Sequence, residues 1–235
     1  MTRTTAVIQA RLGSQRFPQK MLASLANRSL LEWVVTRVRQ SLLIDRVVVA
    51  TTQEPLDDLL VEECARLHVE VVRGATDDVL GRFVDALQND EASQVVRVCA
   101  DNPLIDGGCI DMVIREHLAA SADYSFNHRP FGECDYADGF GAEVISRVLL
   151  EHLHTLQLSA AHREHVTLAV VDGTVQARIH GCTAPAVLAR PELRFDVDIP
   201  ADLFQLESLV QLGALHLEST AFEVVAASDR QGTRR

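Results

Sequence analysis

The sequence predicts an α/β protein with three layers, a mostly parallel central sheet between helices, and three observations carry that prediction. Strand-length apolar runs and amphipathic helix-length runs alternate four times, joined by short connections. The predicted strands read as near-continuous apolar runs, as strands buried on both faces do. A polar turn with one glycine and three cations follows directly on the first strand, at a place where sheets of this class bind ligands.

Thr5 to Ile8 is the first predicted strand. Ser29 and Glu32 have capping-box spacing, and Leu30, Leu31, Val34, Val35 and Val38 then form one helical stripe. Ile44 to Ala50 is a second strand ending at Thr51-Thr52. Pro55 suits the first turn of a helix whose inward face is Leu56, Leu60, Cys64 and Leu67. Val69 to Val72 is a third strand, Thr76 caps a helix burying Val79, Leu80, Phe83 and Leu87, and Gln94 to Cys99 is a fourth strand. From Ser121 the alternation breaks. Phe126 to Phe140 is rich in turn formers, followed by a strand at Gly141 to Ile145 and a helix from Ser146 to Leu156. Thr174 to His180 and Leu193 to Val197 read as further strands. Pro200 opens a helix that buries Leu203, Leu206 and Val210, and Gly213 stops it. These elements make one expected domain over 1–225, with an excursion at about 126–180, and a frayed or disordered tail at 226–235.

A net charge of −11 argues against a nucleic-acid-binding surface, which must neutralise many phosphates. No apolar run approaches the ~20 residues of a membrane span, and the apolar stretch near Met1 is too short for a signal segment. A cytoplasmic protein with no membrane partner is expected. The five cysteines (Cys64, Cys99, Cys109, Cys134 and Cys182) form no C-x-x-C pair and fit reduced thiols.

The stretch Gln9 to Lys20, QARLGSQRFPQK, is a predicted phosphate cradle. Gly13 lets backbone N–H groups approach an anion, Arg11 and Arg16 can grip phosphate oxygens bidentately, and Lys20 adds a point charge. Neither a Walker-type loop nor a three-glycine dinucleotide fingerprint is present. The pattern R-x-G-S-x-R-x-P-x-K after the first strand resembles the opening of the nucleotide-sugar cytidylyltransferases, the acylneuraminate and 3-deoxy-manno-octulosonate enzymes, and most closely their spore-coat polysaccharide branch. Gln19 stands where that family usually has glycine. Further segments are similar in the same order: VATT, RG-x-x-DDVL, CADNPLI, D-G-x-x-x-E-V, REHVT and D-x-P-x-D.

The resemblance implies a Rossmann-like nucleotidyltransferase fold with a small β-containing excursion, and transfer of CMP from CTP to a sugar acid or related acidic or phosphorylated acceptor. It implies a homodimer. Gln9, Ala10, Arg11, Leu12, Gly13, Ser14, Arg16 and Lys20 would hold the nucleotide, with Thr51, Thr52, Arg73, Asp77, Ala100 and Asp101 beside it. Arg16, Lys20 and Arg11 would offset charge on the leaving pyrophosphate. Asn102, Asp138, Gly139, Glu143, Arg163 and His165 would serve the acceptor.

Such chemistry calls for cations and a hard metal ion, Mg²⁺, held by one or two carboxylates. Asp101 and Asp198 each follow a predicted strand, so a parallel sheet can bring both to one edge, and the resemblance agrees in making them metal ligands. Asp198 can equally cap the Pro200 helix. Asp57, Asp58, Asp77 and Asp78 are explained as well by favourable charge at helix starts. Asp196-Val197-Asp198 also reads as the D-x-D of a glycosyltransferase, and a catalytically silent nucleotide-binding domain is a third reading. His162 and His165 have zinc-like spacing without a third ligand.

Overall fold

The computed structural model describes residues 2–128 and 135–232. Cys134 and part of the turn-rich Phe126 to Phe140 stretch lie outside the described residues, as does the end of the predicted tail at 233–235. The strands are β1 (Thr4–Gln9), β2 (Ser24–Leu25), β3 (Arg28–Ser29), β4 (Arg46–Thr52), β5 (Glu70–Gly74), β6 (Gln94–Cys99), β7 (Tyr124–Phe126), β8 (Glu143–Ser146) and β9 (Ile179–Gly181). The helices are α1 (Leu30–Val38), α2 (Asp58–Arg66), α3 (Val79–Ala86), α4 (Gly107–Ala120), α5 (Arg147–Thr155), α6 (Ala160–Glu164), α7 (Leu168–Val171), α8 (Pro200–Gly213) and α9 (Ala221–Gly232).

Seven strands form one sheet in the order β5-β4-β1-β6-β8-β7-β9, and β2 pairs with β3 in a separate ribbon. β1 runs parallel to both β4 and β6, while β8 is antiparallel to β6 and β7. Alternation along the strands splits the core into two layers. Val7, Val48 and Val95 face one apolar cluster with Phe83 of α3, Leu150 of α5 and Val225 of α9. Ala6, Ile8, Val49 and Val96 face the other, with Val34 of α1, Leu60 of α2 and Val113 of α4. The chain leaves β1 towards β4 and later adds β6 on β1's other side, so a topological switch point lies between β1 and β6.

Several predicted details differ. Residues 174–178 make no ladder, and only Ile179–Gly181 pairs, parallel to β7. Leu193 to Val197 is no sheet strand, although Arg194 makes a single bridge to Asp138. Asp78, not Thr76, caps α3 by accepting from Gly81 N at 2.8 Å, while the Thr76 hydroxyl donates to Glu54. Ser29 caps α1, but Glu32 does not reciprocate because its carboxylate engages Arg28 and Arg66. Leu56 is turned outward. α8 ends with Ala214, rather than Gly213, in the left-handed conformation (φ 52°). The predicted tail is helical through Gly232, because Val224, Val225 and Ala227 give α9 an apolar face that is buried. Among the described residues no helix is long and apolar enough to cross a membrane.

Two buried or strained groups make the fold testable. Gln19 adopts φ 54°, ψ 26° in the turn after β1, a conformation costing an L-residue about 1–2 kcal/mol, against the 0.5–1 kcal/mol of extra chain entropy that glycine loses. Gln19→Gly is therefore expected to stabilise the protein by about 0.5–1 kcal/mol, read as a higher urea midpoint at unchanged m-value. His117 is 1% exposed, with Nδ1 2.9 Å from Ser125 Oγ and Nε2 2.9 Å from Gln94 Oε1. Burial pushes its pKa down to about 4. The unfolded chain thus binds a proton that the folded one refuses between roughly pH 6.5 and 4, so stability falls as pH falls through that window, by roughly 3 kcal/mol. Urea titrations from pH 7 to 4.5 should show a shallower loss for His117→Gln than for the parent.

Candidate active site

The turn after β1 is fixed by its backbone. Leu12 N donates to Asp57 Oδ1 at 2.7 Å, Gln19 N donates to Leu12 O at 3.1 Å, and Phe17 N donates to Ser14 Oγ at 3.3 Å. Added to Gly13, a Cβ would meet nothing within 4 Å, so the space over that backbone is open to a ligand. At the turn's end Lys20 is 8% exposed and donates from Nζ to Val197 O at 2.5 Å. The same ammonium stands 3.6 Å from Asp101 Oδ2 and 3.8 Å from Asp198 Oδ1. Arg16 grips Asp198 with two bonds of 2.9 and 3.1 Å.

Asp101 and Asp198 meet because Val197 N donates to Asp101 O at 2.8 Å, tying the segment before α8 to the end of β6. The capping alternative for Asp198 is answered by Asp202, whose carboxylate accepts from Asp198 N and Ile199 N, both at 2.8 Å. Asp198's own side chain is left to the cleft. Burial, with the neighbouring Asp198 adding to it and Lys20 opposing it, raises the Asp101 carboxyl above its ordinary range.

Two pockets share Cys99, Asp101 and Asp198. One, of about 680 Å³, is lined by Gln9, Ala10, Arg11, Gly13, Ser14, Arg16, Lys20, Arg82 and Ala100. The other, of about 360 Å³, is lined by Arg97, Asn102, His128, Tyr136, Asp138, Glu143 and Asp196. The first concentrates cations in a protein of net charge −11. In the second, Arg97 and His128 both engage Glu143, the latter at 2.7 Å. Burial alone would raise the Glu143 carboxyl, but Arg97 and then His128 hold it well below the usual range. Burial pushes the Cys99 thiol up to about 11, which keeps it protonated and unsuited to nucleophilic attack at neutral pH.

Not every predicted residue reaches the cleft. Leu12 is buried and contributes its backbone N–H inward. Of the four parallel strand ends, only those of β1 and β6 line the two pockets, so the residues expected beside the nucleotide from β4 and β5 are not there. Thr51 and Thr52 are buried, and Thr52 N and Oγ1 donate to Asp57. Arg73 is turned to Thr52 O, Glu54 O and Asp58. Asp77 is exposed and lines neither pocket. Arg163 is held by Asp78 at 2.5 Å, and His165, one residue past α6, lines neither pocket. Gly139 has φ 104°, and a Cβ there would stand 2.7 Å from Phe195 Cβ, so its glycine is required by packing behind the pocket. Asp196 and Asp198 both line the smaller pocket, but Asp196 is occupied by Arg194 through bonds of 2.6 and 3.1 Å.

Three basic residues of the cleft escaped the sequence reading. Arg82 is 1% exposed, donates to Ala75 O and Thr76 O, and its Nε has no hydrogen-bond partner among the described residues. A cation three residues after Val79, on the inward face of an apolar helix, was the available signal. Arg97 interrupts the apolar run of β6, a comparable signal, whereas nothing marked His128.

The cytidylyltransferase family profile matches residues 5–166. The spore coat polysaccharide biosynthesis protein SpsF of Bacillus subtilis (strain 168) is 31% identical over 230 residues, spanning 95% of this chain and 93% of that protein. The 3-deoxy-manno-octulosonate cytidylyltransferase of Anaeromyxobacter sp. (strain Fw109-5) is 34% identical over 219 residues, spanning 92% of this chain and 85% of that enzyme. A solved cytidylyltransferase from Leptospira borgpetersenii serovar Hardjo-bovis (strain JB197) superimposes with a TM-score of 0.90 at 25% identity, covering 99% of this chain and 96% of its own. The matched stretch includes the cationic turn, Arg82, Arg97, Cys99 and Asp101, and leaves Asp198 beyond it. The chain therefore belongs to the cytidylyltransferase family and is a nucleotidyltransferase.

Proposed function

We propose that the protein is a Mg²⁺-dependent cytidylyltransferase that transfers CMP from CTP to a sugar acid or related acidic or phosphorylated acceptor and releases pyrophosphate. The observation that carries this reading is the junction itself: a cation-lined pocket and a smaller polar pocket meet at Asp101 and Asp198. A triphosphate in the larger pocket puts its α-phosphorus at the junction, within reach of an acceptor oxygen in the smaller one.

Arg11, Arg16, Lys20 and Arg82 neutralise the triphosphate and the charge that grows on the departing pyrophosphate. Lys20 does so from a fixed position, since Val197 O anchors it, which keeps reorganisation small during transfer. Among the described residues Arg16 is anchored through Asp198 alone, and it is two-thirds exposed on its side chain (68%), so it can exchange that carboxylate for phosphate oxygens. Asn102, Asp138 and the Arg97–Glu143–His128 group orient the acceptor. An acceptor oxygen that is already anionic attacks without a general base. Asp101 and Asp198 fit a hard divalent ion: both offer oxygen donors at the cleft, where burial, with Asp198 adding to it and Lys20 opposing it, raises the Asp101 carboxyl. Bound there, Mg²⁺ would supply Lewis-acid stabilisation of the phosphoryl oxygens.

Pyrophosphate release, assayed with four nucleoside triphosphates against sugar acids and phosphorylated acceptors, is expected with CTP and Mg²⁺. Release with none of these pairs would end the proposal. Asp101→Asn and Asp198→Asn should each lower kcat by at least about 10²-fold and raise the Mg²⁺ concentration for half-maximal rate, as should Lys20→Met for kcat alone. For Arg82→Gln the expected change is a rise of roughly ten-fold or more in KM for CTP with acceptor KM unchanged, measured by steady-state kinetics.

A further inference from the structure

β9 closes the sheet at one edge and lies against α4. His180 within it and Cys182 just past it are two residues apart, so their side chains fall on the same face. Glu116, in the third turn of α4, meets them. His180 Nε2 lies 2.9 Å from Glu116 Oε2, and one donor atom from each of Glu116, His180 and Cys182 lies within 4.8 Å of the other two. Cys182 is buried, whereas the side chains of His180 and Glu116 are 35% and 38% exposed, which leaves an approach for an ion from solvent.

We propose that Glu116, His180 and Cys182 form a Zn²⁺ site separate from Asp101 and Asp198. A thiolate sulfur, an imidazole nitrogen and a carboxylate oxygen are the mixed donors that Zn²⁺ takes, and they disfavour Mg²⁺ and Ca²⁺, which call for oxygen alone. Water completes the tetrahedron on the solvent side. As the sulfur–zinc bond forms, the Cys182 thiol gives its proton to solvent, and no group is oxidised or reduced. The ion would fasten an edge strand with few other ties. That strand supports the smaller pocket: Cys182 N donates to Phe126 O at 2.8 Å, and Tyr136 OH donates to Thr183 O at 3.4 Å.

Co²⁺ titrated into the chelator-stripped full chain is expected to bind with a thiolate-to-cobalt charge-transfer band in the near ultraviolet, which Zn²⁺ abolishes by competition. The band should persist in Cys99→Ala, which removes the thiol at the catalytic junction, and disappear in Cys182→Ser and His180→Ala. His180→Ala alters a partly exposed side chain and carries the test if Cys182→Ser does not fold. Zn²⁺ is further expected to raise the melting temperature of the parent by about 5 °C or more and to leave His180→Ala unmoved. No thiolate band in the folded parent, a band that survives Cys182→Ser or His180→Ala, or one lost in Cys99→Ala would overturn the proposal.

Discussion

One ammonium group holds the site together. Lys20 is nearly buried, and a buried charge without partners is costly. Here Val197 O accepts its hydrogen bond, while Asp101 and Asp198 stand on either side at 3.6 and 3.8 Å. The three groups come from the turn after β1, the end of β6 and the segment before α8, so the charge balance exists only when remote parts of the chain are assembled. Each partner would be unfavourable alone: the ammonium for lack of an anion, the two carboxylates for repulsion.

The elements that create this junction were legible because they are local. The apolar runs of β1, β4, β5 and β6, the stripes of α1 and α3, and the Pro200 start of α8 all follow from periodicity and capping chemistry. Asp101 and Asp198 could be paired because parallel strands deliver their ends to one edge. The strand predicted before Asp198 is absent, yet the aspartate arrives through a single backbone hydrogen bond from Val197 to Asp101. The conclusion survived a faulty premise.

What remained illegible was side-chain direction at strand ends. Thr51, Thr52 and Arg73 sit at the carboxyl ends of β4 and β5, where ligands bind in such sheets, but Asp57 and Asp58 draw them away from the cleft. Asp57 also takes Leu12 N, so a residue explained by helix-start electrostatics in fact supports the turn after β1. Arg163 was lost for a similar reason, since Asp78 claims it. Sequence shows which charges exist and leaves open which of them are already spent on each other.

The antiparallel course of β8 separates the two halves of the cleft in kind. Parallel strands β1 and β6 contribute their last residues to the larger, cation-lined pocket, whereas β8 contributes its first, Glu143, to the smaller one, paired in register with Arg97 of β6. The chain that joins β7 to β8 carries His128, Tyr136, Asp138 and Gly141, so one connection supplies a large share of the smaller pocket's lining. Changes of length or residue type in that connection can reshape the smaller pocket without disturbing the strand ends that line the larger one. The architecture thus sets a pocket carried on parallel strand ends beside one that a single connection can reshape.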